Sequence, residues 1–336
     1  MIKKFALVIG CLTVLAGVAA TPALTQGKKM IVAAPGIPPI FASVILYVAE
    51  KEGFWKKYGA DVEVRPFDTG TAAARAVLSG DIEVALAPTP IIISQISNAG
   101  ANVVAINGFP NPDWILASTD AAKTSCKDVA GQSIGVDAVG AARSVALRIM
   151  LAGGCPEVKI DDVKQIALSS NTAPAMIAGQ LSFGVLHLDD IAVIERQGKK
   201  VHIVLEMKKT TPTSHYLLVT VRQDKLKDNR DSYVRLLAGM IEAARFMQDA
   251  KNADRVADAA APVGHPKDIA KNALKQFLDI GFWAVNDDGL EQKKLDAMIQ
   301  VQMRTGGIQP GKEAVKYERL VDLSVWRDAK ALVDKK

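Results

Sequence analysis

Four groups of residues carry chemistry at spacings suited to ligand recognition. The first is Val139-Gly140-Ala141-Ala142-Arg143-Ser144, where a glycine and two alanines permit close approach to a helix start. The first N–H groups of a helix have no intrahelical partner and attract anions. Arg143 in that first turn opposes the helix dipole, which an anion would offset; a solvated surface arginine is the alternative reading. The second group is His187 and Asp189 at the end of an apolar run, with Asp189-Asp190 also suited to capping the next helix. The third is Asp68-Thr69-Gly70 and Pro88-Thr89, each after an apolar run, where Asp and Thr serve as caps first and ligand donors second. The fourth is apolar: Ile37, Pro38 and Phe41 in a proline-stiffened loop, and Phe109 and Trp114 placed to stack on a planar ligand.

Catalytic motifs are missing from the sequence. The four histidines (His187, His202, His215, His265) have no short metal-ligand spacing, and no nucleophile elbow, zinc-protease helix or phosphate-binding glycine loop occurs. No catalytic residue, metal or cofactor is therefore expected. Cys126 and Cys155 lack the paired spacing of a metal site. In an oxidising compartment they suggest a disulfide, two buried free thiols being the other reading.

The elements that must position these groups alternate. Strand-like runs at 30–34, 61–67, 83–87 and 102–107 are separated by helix-like runs at 42–52, 71–79 and 89–98. The order resumes with strands at 133–136, 163–168 and 183–188 and helices at 141–152 and 172–178. This βαβα order predicts an α/β layer fold with mostly parallel strands. The segments Arg75–Pro90 and Pro174–Asp190 align at an offset of 99 residues, with Gly80 on Gly179, as two similarly built lobes would. Polar stretches at 118–123 and 208–213 read as crossings between lobes, a strand at 216–221 returns the chain, and everything after Asp231 reads helical. The expected division is lobe one at 28–117 and 217–336, and lobe two at 118–216, with the crossings acting as a hinge.

Residues 1–25 have the order of a cleaved secretory signal: Lys3 and Lys4, an apolar run from Phe5 to Ala20, then small residues and Pro22. Cys11 lies too early in that run for a lipoprotein box. The chain holds 41 basic and 36 acidic residues, and losing the two signal lysines lowers the excess from +5 to +3. So small and scattered an excess excludes a nucleic-acid surface.

The segments AEKEGFWKKYGADVEVRPFDTG (49–70), AVLSGDIEVALAPTP (76–90), KDVAGQSIGVDAVGAARSVALRIMLAGG (127–154) and APAMIAGQLSFGVL (173–186) resemble the periplasmic binding proteins of the nitrate/sulfonate/taurine and thiamine-pyrimidine-precursor group. The resemblance covers roughly residues 28–220. It implies the two-lobed type II periplasmic-binding fold, capture of a small molecule by lobe closure, and delivery to an ABC permease with a cytoplasmic ATPase. A periplasmic monomer is expected. Arg143, His187 and the aromatic residues suggest a small organic anion, such as an aromatic carboxylate or sulfonate, whereas Asp68, Asp113 and Asp189 would suit a pyrimidine or amine. A subunit that senses a ligand for a membrane receptor, or an enzyme on the same fold, are the rival readings.

Overall fold

The computed structural model describes residues 29–335. The signal segment and Cys11 lie outside the described residues. Among the described residues no helix is long and apolar enough to cross a membrane.

Ten strands form two five-stranded sheets. The first holds β1 (Met30–Pro35), β2 (Val62–Phe67), β3 (Val84–Pro88), β4 (Val103–Phe109) and β10 (Leu217–Arg222), in the order β2-β1-β3-β10-β4. The second holds β5 (Ile115–Ser118), β6 (Ser133–Val136), β7 (Lys164–Ala167), β8 (Phe183–Leu186) and β9 (His202–Glu206), in the order β7-β6-β8-β5-β9. In each sheet the first three strands run parallel and the fourth is antiparallel to its neighbours: β10 in one, β5 in the other. The strands at the core of these sheets are apolar throughout, as strands covered on both faces must be; β3 is buried along its whole length. β3 and β8, the strands of the 99-residue sequence offset, occupy the same third place in their sheets.

One boundary and one strand differ from the sequence reading. Ile115–Ser118 already belongs to the second sheet, so the chain leaves the first sheet at 110–114, before the polar stretch at 118–123. The reason is that Ile115-Leu116-Ala117 is a short, fully buried apolar run, which polarity downstream does not reveal. The strand β9 was also not expected, since His202 and Glu206 at its ends mask its apolar centre.

The C-terminal region is helical as read, with helices at Arg230–Gln248, Lys267–Asp279, Gln292–Arg304 and Leu323–Asp334. The longest packs on the helix Val44–Lys51 and on Leu323–Asp334. Trp55 donates its indole N–H to the Leu236 carbonyl at 3.1 Å, and it fits because Gly239 faces it: a Cβ there would lie 2.3 Å from the indole ring. These helices, assigned by the sequence to lobe one, also reach lobe two. Lys267–Asp279 also packs against Leu188–Arg196 of lobe two, where Arg196 pairs with Asp268 at 2.8 Å.

Cys126 and Cys155 are bonded, with Cα atoms 5.5 Å apart and a sequence separation of 29. The bridge fixes the C-terminal end of the helix Ala142–Gly154 to the start of lobe two. Closing a loop of that size in the unfolded chain corresponds to about 3–4 kcal/mol. The double variant Cys126→Ser/Cys155→Ser is therefore expected to lose about that much stability in denaturant unfolding, with unchanged unfolding of wild type on reduction as the contrary result.

Candidate functional site

In sheets of this kind, ligands bind beyond the carboxyl ends of the parallel strands. The carboxyl ends of both sheets here open onto one cavity of about 30 Å³ between the lobes. Lobe one lines it with Pro35, Gly36 and Ile40 after β1, Asp68, Thr69 and Gly70 after β2, and Pro88 at the end of β3. Lobe two contributes Asp137, Ala142 and Arg143 after β6, Ser169 and Ser170 after β7, and His187 after β8. Trp114 and Tyr216, each just ahead of an antiparallel strand, complete the wall with Leu217. That volume suits one or two water molecules, whereas organic ligands occupy pockets of about 300 Å³ or more.

Hydrogen bonds across the cleft hold the closed arrangement. Ser169 donates its hydroxyl to the Asp68 carboxylate at 3.0 Å, and Ser170 donates to the Ile37 carbonyl at 2.8 Å. Ser169 has φ 51, in the left-handed region, a conformation that non-glycine residues hold mainly at sites the surroundings over-determine. Farther out, His265 of the C-terminal region meets the Asp189 carboxylate at 2.6 Å, and Arg148 donates to the Thr305 carbonyl at 3.0 Å. Burial opposes charge on both members of the first pair, yet each sustains the other. His265 is raised above the ordinary histidine value and Asp189 is lowered below the ordinary carboxylate value.

Arg143 is the polar centre of the cavity. It is 6 % exposed, lies over the Trp114 ring at 5.7 Å, and donates through Nη1 to the Ser169 carbonyl at 2.9 Å. Its Nε is buried and finds no partner among the described residues. An unpaired buried donor on a charged group is costly, so a ligand acceptor there would be strongly favoured. The helix start that carries Arg143 is not left open, however. Asp137 accepts from the Arg143 backbone N–H at 3.1 Å and from that of Ala138 at 2.9 Å, and so caps the helix and offsets the dipole. The anion site expected on the helix N–H groups is thus partly taken by Asp137, and the side chain of Arg143 is what remains.

His187 is 3 % exposed and stacks near Trp114, with ring centroids 4.2 Å apart. Its Nδ1 lies 2.8 Å from Asp113 Oδ2 and 3.5 Å from the Tyr216 hydroxyl. Burial disfavours the imidazolium, but the Asp113 carboxylate overrides it and holds His187 above the ordinary histidine value.

Among the residues singled out in the sequence, Asp68, Thr69, Gly70, Pro88, Trp114, Arg143 and His187 meet at this cavity. Thr69 is engaged as a cap, accepting from the Ala72 N–H at 3.0 Å. The others lie elsewhere. Ile37 faces solvent at 57 % exposure, with Pro38 beside it, and reaches the cleft only through its carbonyl. Phe41 is core, packed on Phe277 at 5.3 Å, and Phe109 packs on Phe282 at 5.6 Å. Gly140 donates its N–H to Ser144 Oγ at 2.9 Å, which with Ala141 forms the turn into the helix. Asp189 serves the lobe contact described above. Asp137, Ser169, Ser170 and Tyr216 were not singled out, although Asp137 follows its strand as Asp68 follows β2.

Thr89 is buried with its hydroxyl 2.8 Å from His215 Nδ1, while His215 Nε2 donates to the Gly289 carbonyl at 2.6 Å. That arrangement fixes a neutral ring protonated on Nε2, and burial lowers its pKa to about 4. An unfolded histidine titrates near 6.5. The stability from keeping His215 neutral is present above that value and lost as pH falls from 6.5 towards 4, by about 3 kcal/mol at most. His215→Gln is expected to show a shallower drop in melting temperature over this window than wild type; identical slopes would contradict it.

No curated protein matches the chain by sequence. Among solved structures, a protein from Bordetella bronchiseptica RB50 is similar at 20% identity and TM-score 0.76, covering 92% of this chain and 99% of that one. The periplasmic nitrate-binding protein NrtA from Synechocystis PCC 6803 is similar at 15% identity and TM-score 0.73, covering 92% and 89%. The alkanesulfonate-binding protein SsuA from Xanthomonas axonopodis pv. citri, bound to MOPS, is similar at 14% identity and TM-score 0.70, covering 88% and 98%. These likenesses establish the two-lobed periplasmic-binding-protein fold. With the family description NMT1/THI5 like matching residues 41–252, well over half its length, the chain belongs to the NMT1/THI5-like family.

Proposed function

We propose that the chain is the extracytoplasmic solute-binding component of an ABC importer. It captures a small organic anion, an aromatic carboxylate or sulfonate, between two closing lobes and passes it to a membrane permease driven by a cytoplasmic ATPase. The observation that carries this reading is Arg143, buried over the Trp114 ring with an unpaired Nε, in a cavity lined by both lobes. An acidic group would pair with the guanidinium while a flat body lies among Trp114, Tyr216 and the prolines Pro35 and Pro88. Solved neighbours named for nitrate and alkanesulfonate binding support an anion. A monomer in the periplasm fits the same reading.

Binding to the folded state raises stability by about 2.7 kcal/mol at a hundredfold excess over Kd. A thermal-shift screen of aromatic carboxylates, alkyl and aryl sulfonates, nitrate, pyrimidines and amines is expected to give its largest shifts with the anions. Arg143→Ala is expected to weaken the best of them about 10-fold or more, as loss of a charge-assisted hydrogen bond does. Equal affinity of the variant and wild type in calorimetry would sink the anion reading.

A further inference from the structure

The ring of His187 has a committed nitrogen and an uncommitted one. Nδ1 faces Asp113 Oδ2 at 2.8 Å, so the proton between them lies on Nδ1. Nε2 makes no hydrogen bond to any described residue, on a side chain that lines the cavity beside Arg143 and Trp114. Asp113 itself is fully buried, does not line the cavity, and has its second oxygen unpaired among the described residues. Among the described residues it is partnered by the His187 ring and by the Tyr216 hydroxyl, and a carboxylate buried so deeply is a costly arrangement for stability alone.

We propose that His187 contacts the captured solute through Nε2, and that Asp113 is a positioning residue that makes this contact a hydrogen-bond donor, so that Arg143 and His187 together select the solute's acidic group. The proposal rests on the reading that the solute is an anion. With the Nδ1 proton held towards Asp113, a neutral ring would present an acceptor at Nε2 and repel a carboxylate or sulfonate oxygen. The imidazolium presents N–H there instead. The groups that face the ring decide which form prevails. Asp113 from the first crossing and Asp189 and Asp190 from the helix Leu188–Arg196 favour the imidazolium, while burial and Arg143 oppose it. Tyr216 adds a hydroxyl at 3.5 Å, held neutral because burial raises its pKa well above the usual value. The balance leaves His187 raised above the ordinary histidine value, which favours the imidazolium. Where it has lost its proton in the free protein, capture of the anion takes one proton from solvent onto Nε2.

The test is calorimetry with benzoate and benzenesulfonate as probes, from pH 5.5 to 9, in buffers of different ionisation enthalpy. Wild type is expected to lose affinity as pH rises through the His187 pKa, by up to about tenfold per unit, with net proton uptake in that range. His187→Gln keeps a neutral donor and is expected to bind more weakly with a flat profile and no uptake. Asp113→Asn is expected to move the window of proton uptake to lower pH or abolish it, because an amide does not sustain the imidazolium and can donate to Nδ1, which leaves the neutral ring its Nε2 proton; a merely structural role for Asp113 would leave that window in place. A nitrogen-15 histidine titration of wild type gives an independent reading, with the His187 signal moving when the probe is added. Probe binding that is independent of pH, with no proton uptake and an unmoved His187 signal, overturns the proposal and leaves the anion reading standing. Binding of neither probe, nor of any other anion, overturns both.

Discussion

The antiparallel strand in each sheet is the constraint on which the rest depends. A strand that runs against its parallel neighbours must begin where they end, and they end at the cleft. β5 and β10 each enter their sheet this way, so both passages between the lobes run through the cleft rather than around it. The residues that immediately precede these strands are Trp114 and Tyr216, and they are brought together with ring centroids 5.7 Å apart and planes tilted by 53°. The crossings between the lobes and the aromatic wall of the site are thus the same few residues. A change in the angle between the lobes moves the surface on which a planar solute would rest.

Electrostatics in the cleft follow from burial. Arg143, His187, Asp113, Asp137 and Asp189 are all buried, and none of these charges would be retained without partners. Each carboxylate has a different task. Asp137 caps the helix that carries Arg143, Asp113 faces His187, and Asp189 joins His265 across the lobes. Asp68 is the one that reaches over from lobe one to a serine of lobe two. Short polar contacts between the lobes thus sit beside an apolar core that is continuous through both.

Much of the fold was legible in the sequence, because its signals are local. The apolar strand runs, the glycine turns and the repeat between Arg75–Pro90 and Pro174–Asp190 all reflect the immediate chemistry of a strand or helix. Loops at strand ends could be picked out for the same reason, and Arg143, His187 and Trp114 were found among them. What the sequence hid was anything decided by a distant partner. Thr89 looks like a cleft residue but is turned to His215, 126 positions away. Asp189 looks like a ligand contact but meets His265 from the helical tail. Ser169 and Ser170 are ordinary loop residues until the far lobe places Asp68 and Ile37 opposite them.

The chain order of the two sheets has a consequence for how the protein is made. All five strands of the second sheet lie in one unbroken stretch, from Ile115 to Glu206. The first sheet lacks its fourth strand until Leu217–Arg222 has emerged, and until then β3 and β4 have nothing between them. During synthesis from the N-terminus, lobe two can complete itself while the strands made first still wait with open apolar edges. Such edges are the segments that aggregate or recruit chaperones. The lobe that begins the chain is the one that finishes folding last.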